Sequence, residues 1–159
     1  MTPAERRHVH VPVMPREVLQ WLQLAPGLTV LDGTVGAGGH SSMILNAIGA
    51  TGRLVGMDRD PMMLQLATSR LQSEHPVSVN YQLIQGSYVE AASLLPRRGI
   101  PVVDRVLLDL GLSSDQLADR DRGFGFDAGG PLDMRFHQGD GLPASELLKR
   151  LTEEELTRI

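Results

Sequence analysis

Cysteine is absent from the 159 residues of this chain, and basic residues do not outnumber acidic ones. Without cysteine there is no disulfide, no thiolate metal ligand and no cysteine nucleophile. The net charge is −4. Dedicated nucleic-acid binders usually carry a basic excess that meets phosphates, so the charge gives no argument for a nucleic-acid partner.

The first twelve residues contain no apolar stretch long enough for a signal peptide or a membrane helix. We therefore expect a cytoplasmic protein. His8 and His10 alternate in this segment and form either a metal pair or part of a solvated arm. None of the five histidines has the helical spacing of a zinc site, so no metal is expected.

Apolar residues make up 42% of the chain, enough for one compact domain with an ordinary core. Short apolar runs predict strands at 28–31, 54–57, 79–84 and 102–108, and segments of helical spacing lie between them. This alternation predicts a doubly wound α/β fold with a parallel sheet. Residues 111–141 have no sustained period and indicate a long functional loop or a domain boundary.

Acidic residues stand at the ends of three predicted strands, namely Asp32, Asp58 and Asp109. Ligands of open α/β sheets bind beyond the carboxyl ends of the strands. Any one of these acids also has an ordinary alternative role as the cap of the helix that follows. Together they predict a ligand site at this edge of the sheet.

The turn after the first strand is rich in glycine, which lets the backbone approach a ligand closely. Gly36 and Gly38 match a dinucleotide fingerprint, but Ser41 occupies its third position and argues against NAD. The spacing Asp-x-x-x-Gly-x-Gly from Asp32 resembles methyltransferases that act on exocyclic amino groups of nucleobases. A tight strand-to-helix turn is the structural alternative. Asp58 suits ribose hydroxyls of either NAD or S-adenosylmethionine.

Seven segments then stand in an order that is specific to one family. They are residues 10–13, 32–41, 56–61, 107–114, 116–117, 122–126 and 130–135. In this order they resemble the bacterial small-subunit ribosomal RNA (cytosine-N4) methyltransferases, the RsmH/MraW family. The resemblance covers essentially the whole chain. Leu112 and Phe136 stand where the family usually has valine and methionine.

The resemblance implies methyl transfer from S-adenosylmethionine to N4 of one cytidine in the 16S ribosomal RNA, on a Rossmann-like class I methyltransferase sheet. It also implies the residues that contact the cofactor, which are Gly38, Gly39, His40, Asp58, Tyr88, Asp109 and Gln116. Tyr88 stands where phenylalanine is common, and either ring stacks on adenine.

The family also implies a helical insert after the fourth strand, with the remaining strands following it. We therefore expect residues 1–114 to form a cofactor-binding half-domain with strand order 3-2-1-4. Residues 115–159 would be a loop and the start of the insert, where the substrate is recognised. With half of the sheet absent, the edge of the fourth strand would be open to self-association, and the chain alone would have little activity.

Cytosine N4 is a weak nucleophile, so the enzyme must accept a hydrogen bond from the amine and align it with the methyl donor. Asp109 is the candidate acceptor and thus the candidate catalytic residue, although it also has an alternative role in holding the cofactor. Asp133 and Arg135 either orient RNA or lock the loop. The arginines of this loop, Arg120, Arg122 and Arg135, either meet phosphates or are solvated.

Two other functions stay open at this stage. A non-catalytic cofactor-binding or assembly module would keep the glycine loop without turnover. An NAD-dependent oxidoreductase is disfavoured by Ser41 and by the spacing from Asp32.

Overall fold

The computed structural model describes residues 12–75, 80–126 and 129–159. The chain divides into two compact units, Met1–Leu110 and Gly111–Ile159. This division lies four residues before the boundary expected at residue 114, and the roles expected of the two parts stay predictions. His8 and His10 lie outside the described residues. Over the described ranges, no helix is long and apolar enough to cross a membrane.

The first unit alternates strands and helices along the chain. Its strands are β1 (Thr29–Asp32), β2 (Arg53–Asp58), β3 (Asn80–Gln85) and β4 (Arg105–Leu107). Its helices are α1 (Pro15–Leu22), α2 (Gly39–Ile48), α3 (Pro61–Glu74) and α4 (Ala91–Arg97), with a short 3₁₀ helix at Tyr88–Glu90 before α4. The predicted α/β alternation is confirmed.

All the strand pairs are parallel, and the order is β3-β2-β1-β4. The predicted fold class and strand order are therefore confirmed. In the described part of the chain β4 lies at one edge of the sheet, where Val106 is half exposed. Self-association through this edge stays a prediction.

Alternating side chains of the strands fill two apolar layers, one on each face of the sheet. On one face, Val30 and Leu54 pack with Ile44 of α2 and Leu71 of α3. On the other face, the apolar layer includes α4. Its buried members are Leu31, Val55, Met57, Ile84, Ala91, Leu95 and Ile100. Both layers hold the carboxyl ends of the strands in fixed positions, which is where the predicted site lies.

The predicted fourth strand, 102–108, is longer than the observed β4. Val102 is 78% exposed, because the chain joins the ladder only where Asp104 N donates to the carbonyl of Thr29. At the other end the regular ladder stops after Leu107. Val79, the predicted start of the third strand, lies outside the described residues.

The second unit consists of short helices joined by loops. The helices are α5 (Ser114–Ala118), α6 (Ala144–Arg150) and α7 (Glu153–Thr157), with a 3₁₀ helix at Arg120–Arg122. Thr152 begins α7 with a capping box, in which its hydroxyl accepts from Glu155 N and the Glu155 side chain accepts from Thr152 N.

Candidate functional site

The carboxyl ends of β1, β2 and β4 bring three acidic residues to one edge of the sheet. Asp32 and Asp58 are the last residues of β1 and β2, and Asp109 follows β4 by two residues. Because the strands are parallel neighbours, their ends meet at the same edge. The glycine-rich loop 33–38 crosses this edge and leads into α2.

Asp32 is completely buried beneath this loop. One carboxylate oxygen accepts from the hydroxyl of Ser41 at 2.6 Å, and the other accepts from Thr34 N at 3.2 Å. Burial raises the pKa of Asp32 above its ordinary value, because desolvation disfavours the ionised form. The side chain thus ties both ends of the loop to β1 and is not available to a ligand.

Asp58 is only partly buried, and it also supports the loop. Its Oδ2 accepts from Gly36 N at 2.8 Å, and its Oδ1 accepts from Asp60 N at 2.9 Å. Burial raises the pKa of Asp58 as well. Hydrogen bonds from the backbone of Asp60, Gly36 and Arg59 to this carboxylate oppose the rise. The alternative role of Asp58 as the cap of α3 belongs to Asp60, whose side chain accepts from Met62 N.

The glycine loop lies against the turns that follow β3 and β4. At Gly33, an added Cβ would lie 2.6 Å from Leu108 Cδ2 and 2.9 Å from Tyr88 Cβ, so this close approach requires glycine. Tyr88 is 38% exposed. The loop therefore brings the Tyr88 side chain beside the end of β1, next to the neighbouring acids.

The first turn of α2 contains three of the predicted cofactor contacts. Gly38 caps the helix with a left-handed backbone, φ 82°, and Gly39 is its first residue. His40 Nε2 lies 2.9 Å from the carbonyl oxygen of Val13. A carbonyl only accepts, so Nε2 carries the proton and donates it. His40 Nδ1 faces Asp109 Oδ2 at 3.7 Å, too far for a hydrogen bond.

Asp109 has a side chain that is 44% exposed. Its backbone N donates to Thr34 Oγ1 at 2.7 Å. The structure thus brings Gly38, Gly39, His40, Asp58, Tyr88 and Asp109 into the first unit, around one sheet edge. Thr34 is a residue that sequence reasoning missed, because its importance depends on which strand lies beside β1.

Gln116, the remaining predicted contact, lies in the second unit. It is 3% exposed, and its side-chain oxygen accepts from Ser113 N at 3.0 Å in the capping box of α5. The structure gives it a role in starting a helix. Its contact with a cofactor stays a prediction.

Arg122 differs from both roles expected of it, since it is neither solvated nor presented for phosphates. Its side chain is buried and donates to the carbonyl oxygens of Arg135 and Phe136, at 3.1 and 2.7 Å. Its guanidinium also lies over the ring of Phe124, 5.7 Å from the centroid. The loop has a carbonyl-lined position that a planar, five-donor side chain fills. Arg120 is exposed, which fits both of the roles expected of it.

Asp133 and Arg135 form an ion pair within the second unit, with Arg135 Nη2 2.7 Å from Asp133 Oδ2. The guanidinium holds the pKa of Asp133 below its ordinary value through charge-assisted hydrogen bonds. Asp133 also receives the backbone N of Arg135 at 3.0 Å. Of the two expected roles for this pair, these contacts fit the locking of the loop.

The family model and the similar proteins both indicate the same family. Residues 7–159 match the model of the MraW methylase family. A protein of Trichlorobacter lovleyi named ribosomal RNA small subunit methyltransferase H is 45% identical over 150 residues, which are 94% of this chain and 47% of that protein. A protein of the same name from Dictyoglomus thermophilum is 38% identical over 98% of this chain and 52% of its own length.

Among solved structures, NSun6 from Pyrococcus horikoshii with SFG is similar in fold, with a TM-score of 0.50 and 20% identity. The match covers 62% of this chain and 24% of that one. The chain spans about half the length of the curated relatives it matches. Since the family model covers nearly all residues, the chain belongs to the MraW methylase family.

Proposed function

We propose that this member of the MraW methylase family is the S-adenosylmethionine-binding part of an enzyme that methylates N4 of a cytidine in small-subunit ribosomal RNA. The observation that carries the proposal is the convergence of Asp32, Asp58 and Asp109 around a glycine-rich loop at one sheet edge. The relatives' shared name, ribosomal RNA small subunit methyltransferase H, supports the substrate. A ribosomal substrate in turn supports a cytoplasmic location.

The residues at the sheet edge suit an adenosine-containing cofactor. Asp58 is only partly buried, and its carboxylate accepts the hydrogen bonds that ribose hydroxyls donate. The Tyr88 side chain is partly exposed at the end of β3 and offers an aromatic face to adenine. Gly38, Gly39 and His40 form the first turn of α2, where backbone N–H groups and the small glycines allow a close approach. S-adenosylmethionine, when bound, supplies an electrophilic methyl group.

Gln116 is a proposed cofactor contact on the basis of the family resemblance. Its side chain is buried, and its oxygen accepts from Ser113 N in the capping box of α5.

The amine of cytosine requires an acceptor close to the methyl donor. Asp109 has the right chemistry, because its carboxylate is partly exposed beyond β4 while its backbone is held by Thr34. We propose that this carboxylate accepts a hydrogen bond from the N4 amine and so directs the nitrogen lone pair toward the methyl group. The amine loses its extra proton after transfer, so no strong base is required.

The cofactor assignment is tested by titration calorimetry of the purified chain with S-adenosylhomocysteine and, separately, with NAD. We expect the first to bind and the second not to. Asp58→Ala should weaken S-adenosylhomocysteine by roughly 1–3 kcal/mol, the cost of leaving buried hydroxyls without an acceptor. Asp104→Ala is the matched control, since Asp104 also accepts a backbone N–H but at the opposite end of β1. Equal losses in both variants would show that the ribose contact is misplaced.

The same titration has a predicted pH dependence. Ribose hydroxyls donate to the ionised carboxylate, so binding requires Asp58 to be deprotonated. Because burial raises the pKa of Asp58, protonation begins at a higher pH than for an exposed aspartate. Affinity should therefore fall as the pH drops through that raised pKa, and Asp58→Asn should remove this dependence.

The reaction is tested with the full-length protein that carries this chain, incubated with immature small subunits and labelled S-adenosylmethionine. Nuclease digestion and mass spectrometry should detect N4-methylcytidine. Label on another base would overturn the proposed substrate atom. Cofactor binding without transfer would favour the non-catalytic module, and binding of NAD would favour an oxidoreductase.

A further inference from the structure

The end of β4 is held by a side chain where a regular sheet would use the backbone. The register pairs Asp32 with Leu107, and Gly33 N donates to the carbonyl of Leu107 at 2.9 Å. In a continuing parallel ladder, the next N–H on β4, that of Asp109, would bond to the carbonyl of Gly33. It bonds instead to the hydroxyl of Thr34, at 2.7 Å.

Thr34 is itself held by a hydrogen bond to the end of β1. Its backbone N donates to the buried carboxylate of Asp32, which also receives the hydroxyl of Ser41. A hydrogen-bond chain therefore runs from α2 through the buried Asp32 to Thr34 and ends in an exposed bond to the backbone of Asp109. Such a chain fixes the direction in which the carboxyl group of Asp109 leaves the backbone, although that group is partly exposed.

We propose that Thr34 is a positioning residue, whose hydroxyl holds Asp109 in place for the reaction while making no bond to the substrate. The inference rests on the proposed function, in which the carboxylate of Asp109 accepts from the amine. Threonine is suited to this position because its methyl group restricts rotation about χ1 while its oxygen accepts the N–H. Valine has the same shape without the acceptor.

The matched variants are Thr34→Val, which removes the acceptor, and Thr34→Ser, which retains it. Thr29→Val serves as the control for a β-branched exchange at the other end of β1. The first readout is amide hydrogen exchange at Asp109 by NMR on this chain, which requires no activity. In Thr34→Val, the amide hydrogen of Asp109 should exchange roughly fivefold faster, which is the change expected on losing one net hydrogen bond. Thr34→Ser and Thr29→Val should leave it unchanged.

The second readout is steady-state kinetics of the full-length protein on immature small subunits. A carboxylate displaced by about 1 Å costs on the order of a hundredfold, so Thr34→Val should lower kcat by roughly tenfold to a hundredfold. KM for S-adenosylmethionine should change little, because Asp58, Tyr88 and the first turn of α2 are untouched. A rise in this KM would instead indicate that Asp109 holds the cofactor. Thr34→Ser should restore kcat toward the wild-type value.

The outcomes separate the two proposals. Unchanged exchange at Asp109 in Thr34→Val would overturn the positioning role itself. Altered exchange at Asp109 with an unchanged kcat would overturn the role of Thr34 in the reaction. The same conclusion would follow if Thr29→Val lost as much kcat as Thr34→Val, or if Thr34→Ser did not restore kcat. If the wild-type protein transfers no methyl group, the proposed function fails, and the reaction part of this inference fails with it. The exchange measurement still decides whether Thr34 holds Asp109.

Discussion

The two units of this chain are stabilised by different kinds of buried residue. All the buried apolar side chains among the described residues belong to the first unit, most of them in the two layers around the sheet. In the described part of the second unit, the buried residues are Gln116, Arg122 and Asp133, which are all polar. Leucines of that unit, such as Leu132 and Leu147, remain more than 40% exposed.

This difference predicts how each unit responds to change. Apolar layers lose stability in proportion to the volume removed, and their neighbours partly adjust. A buried polar group fails differently, because deleting one partner leaves the other without a hydrogen bond. The first unit should therefore be sensitive to size, and the second to chemistry at constant size. Three experiments test this contrast, in order of expected effect.

Leu54→Ala should have the largest effect. Leu54 is fully buried on β2, and removing its side chain from a packed layer costs about 2–5 kcal/mol. Urea unfolding monitored by circular dichroism measures the loss. Val102→Ala is the control, because Val102 is 78% exposed and its truncation should change stability by about 0.5 kcal/mol or less. Similar losses in both variants would show that the apolar layers do not carry the stability of the first unit.

Arg122→Gln should have a smaller, local effect in the second unit. The shorter amide cannot donate to the carbonyls of both Arg135 and Phe136, and the loss should be roughly 1–3 kcal/mol. Hydrogen exchange of residues 129–141, followed by mass spectrometry, measures it. Arg120→Gln is the matched control at an exposed position. If Arg122→Gln also lowers protection of β1 and β2 by the same amount, the two units unfold as one and the contrast fails.

The smallest expected effect concerns pH: the contributions of Asp32 and Asp133 to the free energy of unfolding should change in opposite directions as the pH rises. Burial raises the pKa of Asp32, so its contribution to stability is full below its ordinary pKa and is lost as the pH rises through the raised one. Arg135 lowers the pKa of Asp133, so that contribution is present at neutral pH and is lost as the pH falls through the lowered pKa.

Asp32→Asn should therefore gain stability relative to wild type as the pH rises toward neutral. Asp133→Asn should be less stable than the wild-type protein at neutral pH, and the difference in stability should shrink at acidic pH. Unfolding curves of the three proteins across this range measure both differences. Parallel curves for both variants would mean that these acids are not perturbed in opposite directions.

The sequence predicted the first unit better than the second, for a physical reason. Strands and helices of an α/β unit repeat a local apolar pattern, so the strands ending at Asp32 and Asp58 were predicted nearly to the residue. Positions that depend on a distant partner were not. The role of Thr34 can be predicted only if β4 is known to lie beside β1, because Thr34 and Asp109 are 75 residues apart along the chain.

The burial of Arg122 was missed for the same reason. A charged residue in a glycine-rich loop is usually exposed, and local sequence does not reveal two carbonyl oxygens from thirteen and fourteen residues further on. The resemblance did mark this position, since residues 122–126 are one of the seven segments that carry it. Residues specific to a family in a loop thus marked a structural position here, not a surface contact.

Gly130 sets a limit on how this protein tolerates mutation. A Cβ at this position would overlap the carbonyl oxygen of Arg120, and one at Gly123 would overlap the carbonyl of Pro131. Since both obstacles are backbone atoms, no change of rotamer nearby can relieve them. In a library of all single substitutions, these two sites should be depleted of every side chain, alanine included, while exposed leucines around them accept many replacements. Mutational intolerance in this unit would then map where two stretches of backbone cross.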